Sequence, residues 1–98
     1  MYHWFKGNFY IGDWVDGKME GLGKFYWREG YVYYGEYKND LKHGKGEMMW
    51  NPYKRHRGNW AFGKKHGYGE EIKIILDPEN GFYLVIKAGL WKDNDLKK

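Results

Sequence analysis

Tyr10-Ile11-Gly12-Asp13-Trp14-Val15-Asp16-Gly17-Lys18-Met19-Glu20-Gly21-Leu22-Gly23-Lys24-Phe25-Tyr26-Trp27 carries the pattern on which the fold turns. Adding 23 to the positions of Tyr10, Gly12, Trp14, Gly17, Gly21, Gly23 and Trp27 gives Tyr33, Gly35, Tyr37, Asp40, Gly44, Gly46 and Trp50. Adding 23 again gives His56, Gly58, Trp60, Gly63, Gly67, Gly69 and Lys73. The glycines at 12, 21 and 23 recur in all three copies, and no insertion breaks the register. A fixed period of this length marks a repeat architecture in which each copy is one supersecondary unit.

Within a copy, aromatic residues and glycines alternate over Phe9–Trp14 and again over Gly23–Trp27, the two-residue period of strands. Gly17 and Gly21 flank the turn between them. Each repeat therefore reads as a β-hairpin, and successive hairpins as a meander rising roughly 10 Å per repeat, two strands at a time. Parity puts Tyr10, Gly12, Trp14, Gly23, Phe25 and Trp27 on one face, and Asp13, Lys24, Glu36, Lys45, Glu47 and Asn59 on the other. The aromatics of one hairpin are expected to lie over the glycines of its neighbour, since a residue without Cβ lets a ring approach the backbone. Such a unit cannot bury its face alone, so its stability comes from stacked copies.

The fold class expected is all-β: a single-layer antiparallel meander of 23-residue hairpin repeats forming one domain. Trp4 and Gly7 are in phase with Trp27 and Gly30, so 1–9 is half a repeat; full repeats follow at 10–32 and 33–55, and a third at 56–73. After Gly69 the pattern turns aliphatic, and Asp77-Pro78-Glu79-Asn80-Gly81 reads as a turn, with Asn80 or Gly81 at positive φ. Residues 74–86 are expected to form a C-terminal capping hairpin that closes the open end of the sheet. Gly89-Leu90-Trp91 with Asn94 repeats Gly12-Asp13-Trp14 with Gly17, a degenerate half repeat at 87–98 whose charged tail is expected to fray.

Composition agrees with this reading. Six Trp, ten Tyr and five Phe make the chain 21% aromatic, and 15 Gly are too many for helices. There is no Cys, which excludes disulfides, thiolate metal sites and a Cys nucleophile. There is also no Ser or Thr, which leaves Tyr as the remaining hydroxyl. No apolar run approaches the roughly 20 residues of a spanning helix. No basic segment leads into an apolar stretch at the N-terminus, so a cytoplasmic protein is expected, membrane-peripheral in the alternative reading below.

The spacing Tyr10-Ile11-Gly12-Asp13-Trp14, Gly17, Gly21-Leu22-Gly23 resembles the MORN (membrane occupation and recognition nexus) repeat. So do Tyr33-Tyr34-Gly35-Glu36-Tyr37 with His43-Gly44-Lys45-Gly46, and Gly58-Asn59-Trp60 with Gly63 and His66-Gly67-Tyr68-Gly69. The departures are Asp40 for Gly, His56 for Tyr, Lys73 for an aromatic, and the hairpin at 74–86. The resemblance implies an elongated single-sheet scaffold associated with protein contacts, self-association and, in some members, acidic phospholipids.

Candidate chemistry is sparse. His43 and His66 share a repeat position, but equivalent atoms should lie roughly 10 Å apart, whereas a zinc ion needs its ligands at about 2 Å. Glu70 and Glu71 are neighbours on a strand and point to opposite faces. Nothing here suggests an enzyme, a cofactor or a metal. The expected function is a non-catalytic protein-binding or scaffolding module, self-associating or homodimeric in one form of the reading, which uses the aromatic face through Trp14, Trp27, Tyr37, Trp50 and Trp60.

The alternative follows the charge. Residues 1–49 are net neutral, whereas Met48 to Gly69 contains no acid and five cations: Lys54, Arg55, Arg57, Lys64 and Lys65. Such a segment could meet anionic phospholipid. A second alternative is a small regulator or inhibitor that masks a larger enzyme. A nucleic-acid partner is the least supported, because the aromatics are already needed for packing.

Overall fold

The computed structural model describes residues 2–5, by their backbone alone, and 7–97. Nine strands lie in one antiparallel sheet in chain order: β1 (Tyr2–Phe5), β2 (Asn8–Val15), β3 (Lys18–Tyr26), β4 (Val32–Lys38), β5 (Leu41–Asn51), β6 (Lys54–Ala61), β7 (Lys64–Asp77), β8 (Gly81–Lys92) and β9 (Asp95–Leu96). The chain forms an elongated plate of 51 × 30 × 17 Å, with no second layer among the described residues. The single-layer meander is as the repeat implies. The side chain of Trp4, which set the phase of the first half repeat, lies outside the described residues.

Four two-residue turns join the strands within hairpins, and both residues of each have positive φ: Asp16 (51°) and Gly17 (77°), Asn39 (49°) and Asp40 (68°), Phe62 (51°) and Gly63 (84°), Asp93 (51°) and Asn94 (74°). This is the type I′ geometry, whose twist matches that of paired strands. It explains why Asp40 can replace the repeat's glycine: Asp and Asn tolerate the left-handed region. The turns also stitch hairpins together. Asp40, Gly63 and Asn94 each donate a backbone N–H to the carbonyl of Met19, Lys42 and Lys65 in the preceding hairpin, at 3.1, 2.9 and 3.2 Å.

Phe62 is the misfit, an exposed aromatic where Asn, Asp or Gly is preferred. Phe62→Asn is expected to raise stability by about 1 kcal/mol, read as a higher urea midpoint with an unchanged m-value. A lower midpoint would mean that the ring contact with His43, 5.6 Å between centroids, outweighs the backbone strain.

Seven glycines pair in one row across the sheet: Gly12, Gly23, Gly35, Gly46, Gly58, Gly69 and Gly89. A Cβ on Gly23 or Gly46 would enter the phenol ring of Tyr10 or Tyr33, and one on Gly69 would meet His56 Nε2 at 2.6 Å. Each of these rings covers the glycine of its own hairpin, not of its neighbour as the sequence suggested. Register explains the difference: Tyr10 pairs with Phe25, two residues beyond Gly23, so the ring leans along the partner strand onto the glycine. Contact with the neighbouring hairpin comes from indoles, Trp60 Nε1 donating to Gly46 O (3.0 Å) and Trp91 Nε1 to Gly69 O (3.1 Å).

Just past the glycine row the register slips once per repeat, at Asp13, Glu36 and Asn59. These bulges re-aim the following aromatic and use the side chain of the extra residue. Asp13 Oδ2 accepts from Leu22 N (3.1 Å), Glu36 Oε2 accepts from Lys45 N (2.7 Å), and Asn59 Nδ2 donates to Tyr68 O (3.4 Å). Tyr10 and Tyr33 donate their hydroxyls to the bulge carbonyls of Asp13 and Glu36, both at 3.1 Å. Burial holds these phenols protonated: Tyr10, with the Asp13 charge adding to the effect, is pushed up to about 12, and Tyr33 is pushed up as well.

The core is a file of edge-to-face rings running the length of the array. Tyr10 meets Trp14 and Tyr37, Tyr33 meets Tyr37 and Trp60, and His56 meets Trp60 and Trp91, with centroids 4.7 to 5.7 Å apart and planes 78° to 89° to one another. That arrangement suits the ring quadrupole and adds about 0.5–1.5 kcal/mol per pair to simple burial.

The C-terminal segments depart from expectation. The hairpin expected to close the open end prolongs the sheet instead. Its boundary at 73/74 falls inside β7, β7 and β8 pair without a slip from Gly67↔Trp91 to Asp77↔Gly81, and Gly81 supplies positive φ (94°). The tail expected to fray turns back as β9, where Leu96 pairs with Trp91 and Lys97 N donates to Leu90 O at 2.8 Å.

Candidate interaction surface

The aromatic face separates its own residues into two classes. Tyr37 and Trp60 are buried inside the ring file. Trp14, Trp27 and Trp50 pack against that core but stay partly exposed. Of the five aromatics expected to meet a partner, two thus serve as core, and Trp27 and Trp50 present the most direct route outward. Trp27 directly follows the last residue of β3, and Trp50 is the next-to-last residue of β5, so both stand at the end of the aromatic row.

Lysines stand over these indoles. Lys54 Nζ lies 4.9 Å from the Trp50 centroid, and Lys65 Nζ lies 5.0 Å from both Trp50 and Trp91. Lys42 Nζ lies 5.0 Å from Trp60, 5.7 Å from Trp27 and 5.8 Å from Tyr33. These distances are within cation–π range. Lys42 has no ion-pair partner among the described residues. Burial, with the nearby Lys65 charge, lowers its pKa. Beside it is a recess of about 370 Å³ lined by residues including Met19, Phe25, Trp27, Tyr37 and Asp40. Sequence reading passed over Lys42. Its signal was present, because Met19, Lys42 and Lys65 share one repeat position, and a cation replaces Met there in the second and third copies.

Lys65 also donates to Glu71 Oε1 at 2.6 Å, and the same oxygen lies 3.6 Å from Nδ1 of the fully buried His56. At that distance no hydrogen bond forms, and neither His56 nitrogen has a partner among the described residues. Burial, then the Lys65 charge, pushes the His56 pKa down to about 4 against the opposing pull of Glu71. Burial pushes Glu71 the other way, but the Lys65 hydrogen bond and the charges of Lys65, Lys54 and His56 outweigh it and hold the carboxyl below its ordinary range.

The basic segment is not one patch. Lys54 and Lys65 lie on the aromatic face, while Arg55 and Arg57 lie on the charged face, opposite Met49 and Glu47. Both arginines are already paired, Arg55 with Glu47 at 3.3 Å and Arg57 with Glu70 at 3.0 Å. Lys64 is exposed at the mouth of a turn. Glu70 and Glu71 point to opposite faces, as strand parity requires.

The charged face has a feature that went unread in the sequence. Side chains flanking the glycine row form two banks, and the row itself floors a groove of about 620 Å³. Tyr34, Glu47 and Arg57 stand on one side, and Leu22, Lys45 and Tyr68 on the other. The exposed Ile11 and Tyr34 add apolar side chains to this otherwise charged face. Among the described residues, no three His, Asp or Glu side chains come together as a metal site.

A family model described as MORN repeat matches residues 10–30, 33–55 and 56–73, more than half of the chain. No curated protein matches it.

Proposed function

The chain belongs to the MORN repeat family, whose repeats are generally modules for protein or membrane interaction and typically non-catalytic, and from that premise we propose that it is a protein-binding module whose partner is an acidic segment carrying apolar side chains. The observation that carries this reading is the pairing of part-exposed indoles with ammonium groups on an uncovered face: Trp27 with Lys42, and Trp50 with Lys54 and Lys65. An apolar side chain laid on the indoles gains burial, and a carboxylate beside it meets a cation that is already partly desolvated. Aromatic anchors near cations are the kind of residue that dominates binding energy in interfaces.

A random copolypeptide of Glu and Tyr serves as the probe, with tryptophan emission as the readout. Trp27→Ala and Trp50→Ala are each expected to weaken binding about tenfold or more, with the far-UV spectrum of the folded sheet retained. Binding should weaken with salt, though less than for a purely ionic contact. The lipid reading predicts the reverse: anionic vesicles bind, the copolypeptide does not, and charge reversal at Arg55 and Arg57 abolishes the effect while the Trp variants leave it intact. That outcome would move the function to the basic segment.

A further inference from the structure

Residues 74–86 lie outside the matched repeats, and β7 and β8 there form a two-stranded ribbon that projects past the start of β6, whose pairing with β7 ends at Lys54↔Lys73. The two faces of this ribbon differ. The face continuous with the sheet's aromatic side carries Glu71, Lys73, Asp77 and Lys87 among its apolar residues. The other face carries Ile72, Ile74, Leu76, Phe82, Leu84 and Ile86, without a charge. Toward the array, the pair Glu70↔Ala88 follows on this face, with Glu70 held by Arg57, and then the apolar pair Tyr68↔Leu90.

Tyr68, Leu76, Phe82, Leu84, Ile86 and Leu90 are each between 50% and 65% exposed. A ribbon that is polar on one side and apolar on the other normally packs its apolar side on a second layer; this sheet has none among the described residues. We propose that the second layer is the same face of another copy, two β7–β8 ribbons packing face to face about a two-fold axis as a local β-sandwich.

Three observations select a second copy over a foreign chain. First, area: at roughly 200 Å² for each large side chain, the exposed part of these six comes to about 700 Å² per copy. Two copies then remove about 1,400 Å² from water, within the standard range for a specific dimer. Second, charge: from Ile72 to Leu76 and from Phe82 to Ile86 this face contains no ionisable group, and Glu70, which lies on it before Tyr68, is already neutralised by Arg57 at 3.0 Å, so a copy meets itself without like-charge repulsion. Third, shape: β7 and β8 pair without a bulge over this span, so alternate residues keep to one face, and two such ribbons with the same twist can pack aligned about a two-fold axis. The turn acids Asp77 and Glu79 at the tip disfavour insertion of this face into a bilayer. The contact lies on the opposite face of the sheet from Trp27 and Trp50, so the dimer leaves the proposed binding face free and goes beyond that proposal.

Solution mass of the full chain by light scattering over a concentration series is expected to show a dimer. Leu84→Lys should make it a monomer, and Val85→Lys, one residue along but on the other face, should leave it a dimer. Both positions are exposed, so neither change is expected to unfold the sheet. Because the chain has no Cys, Leu84→Cys and Val85→Cys give an independent reading under mild oxidation: the first should become a covalent dimer and the second should not. The unpaired outer edge of β8 offers the competing contact, strand pairing about Val85. In that case the Val85→Cys chain cross-links and both lysine variants dissociate. That result, a monomeric native chain, or open-ended growth beyond a dimer would each overturn the proposal.

Discussion

Gly35→Ala is expected to cost at least about 3 kcal/mol and to abolish the cooperative unfolding transition of the array at ordinary temperature. The added Cβ would sit within 2.6 Å of the Lys45 carbonyl oxygen and closer still to the Gly46 Cα on the paired strand. Neither atom belongs to a side chain that can swing away. The two strands would have to separate, and the ladder that positions Tyr33 between Tyr37 and Trp60 would separate with them. A one-layer array has no other packing to resist this, and stability in such arrays is a sum of neighbour contacts. Gly17→Ala is the matched control. Nothing lies within 4 Å of its added Cβ, and only its φ of 77° is unfavourable. About 1 kcal/mol is expected there. Urea midpoints and near-UV spectra of the two variants decide the matter, and equal losses would show that turn strain, not strand approach, sets the need for glycine.

The second large effect is acid sensitivity centred on His56. Its pKa falls from the ordinary 6.5 to about 4 in the folded chain, chiefly through burial and then through the Lys65 charge. For a base whose folded pKa is depressed, the unfolded chain takes up the proton first as pH falls. Stability is therefore fully present above about pH 6.5 and declines as pH drops toward 4, by about 3 kcal/mol over that window. Glu71 adds a separate loss at more acid pH, because its carboxyl is held below its ordinary 4.5 and must be protonated at the cost of its bond to Lys65.

His56→Tyr restores the residue found at the equivalent positions 10 and 33, where the hydroxyl reaches the bulge carbonyl. It is expected to flatten the pH profile between 6.5 and 4 while retaining the fold at neutral pH. Urea midpoints of the parent chain and the variant across this range test it. A parent profile already flat there would mean that the imidazolium is accommodated beside Glu71, and the burial argument would fail.

The period of 23 residues, the hairpin unit, the antiparallel order and the assignment of faces were legible in the sequence, because glycine and aromatic positions repeat with strand parity and local turn chemistry agrees with them. Membership of the family was legible for the same reason. Lys42 could have been found by comparing positions 19, 42 and 65, but its meaning depends on which rings stand around it. Three things were decided by tertiary structure alone. Tyr10 and Tyr33 cover glycines of their own hairpins, because cross-strand register and not sequence spacing sets which Cα lies beneath a ring. Alternation along β6 already set Arg55 and Arg57 on the charged face, but only strand pairing brings Lys54 and the distant Lys65 together over the Trp50 indole. The hairpin after Gly69 extends the sheet and leaves an apolar face open. Its strands are long enough to reach beyond β6, and no segment among the described residues folds back to cover them.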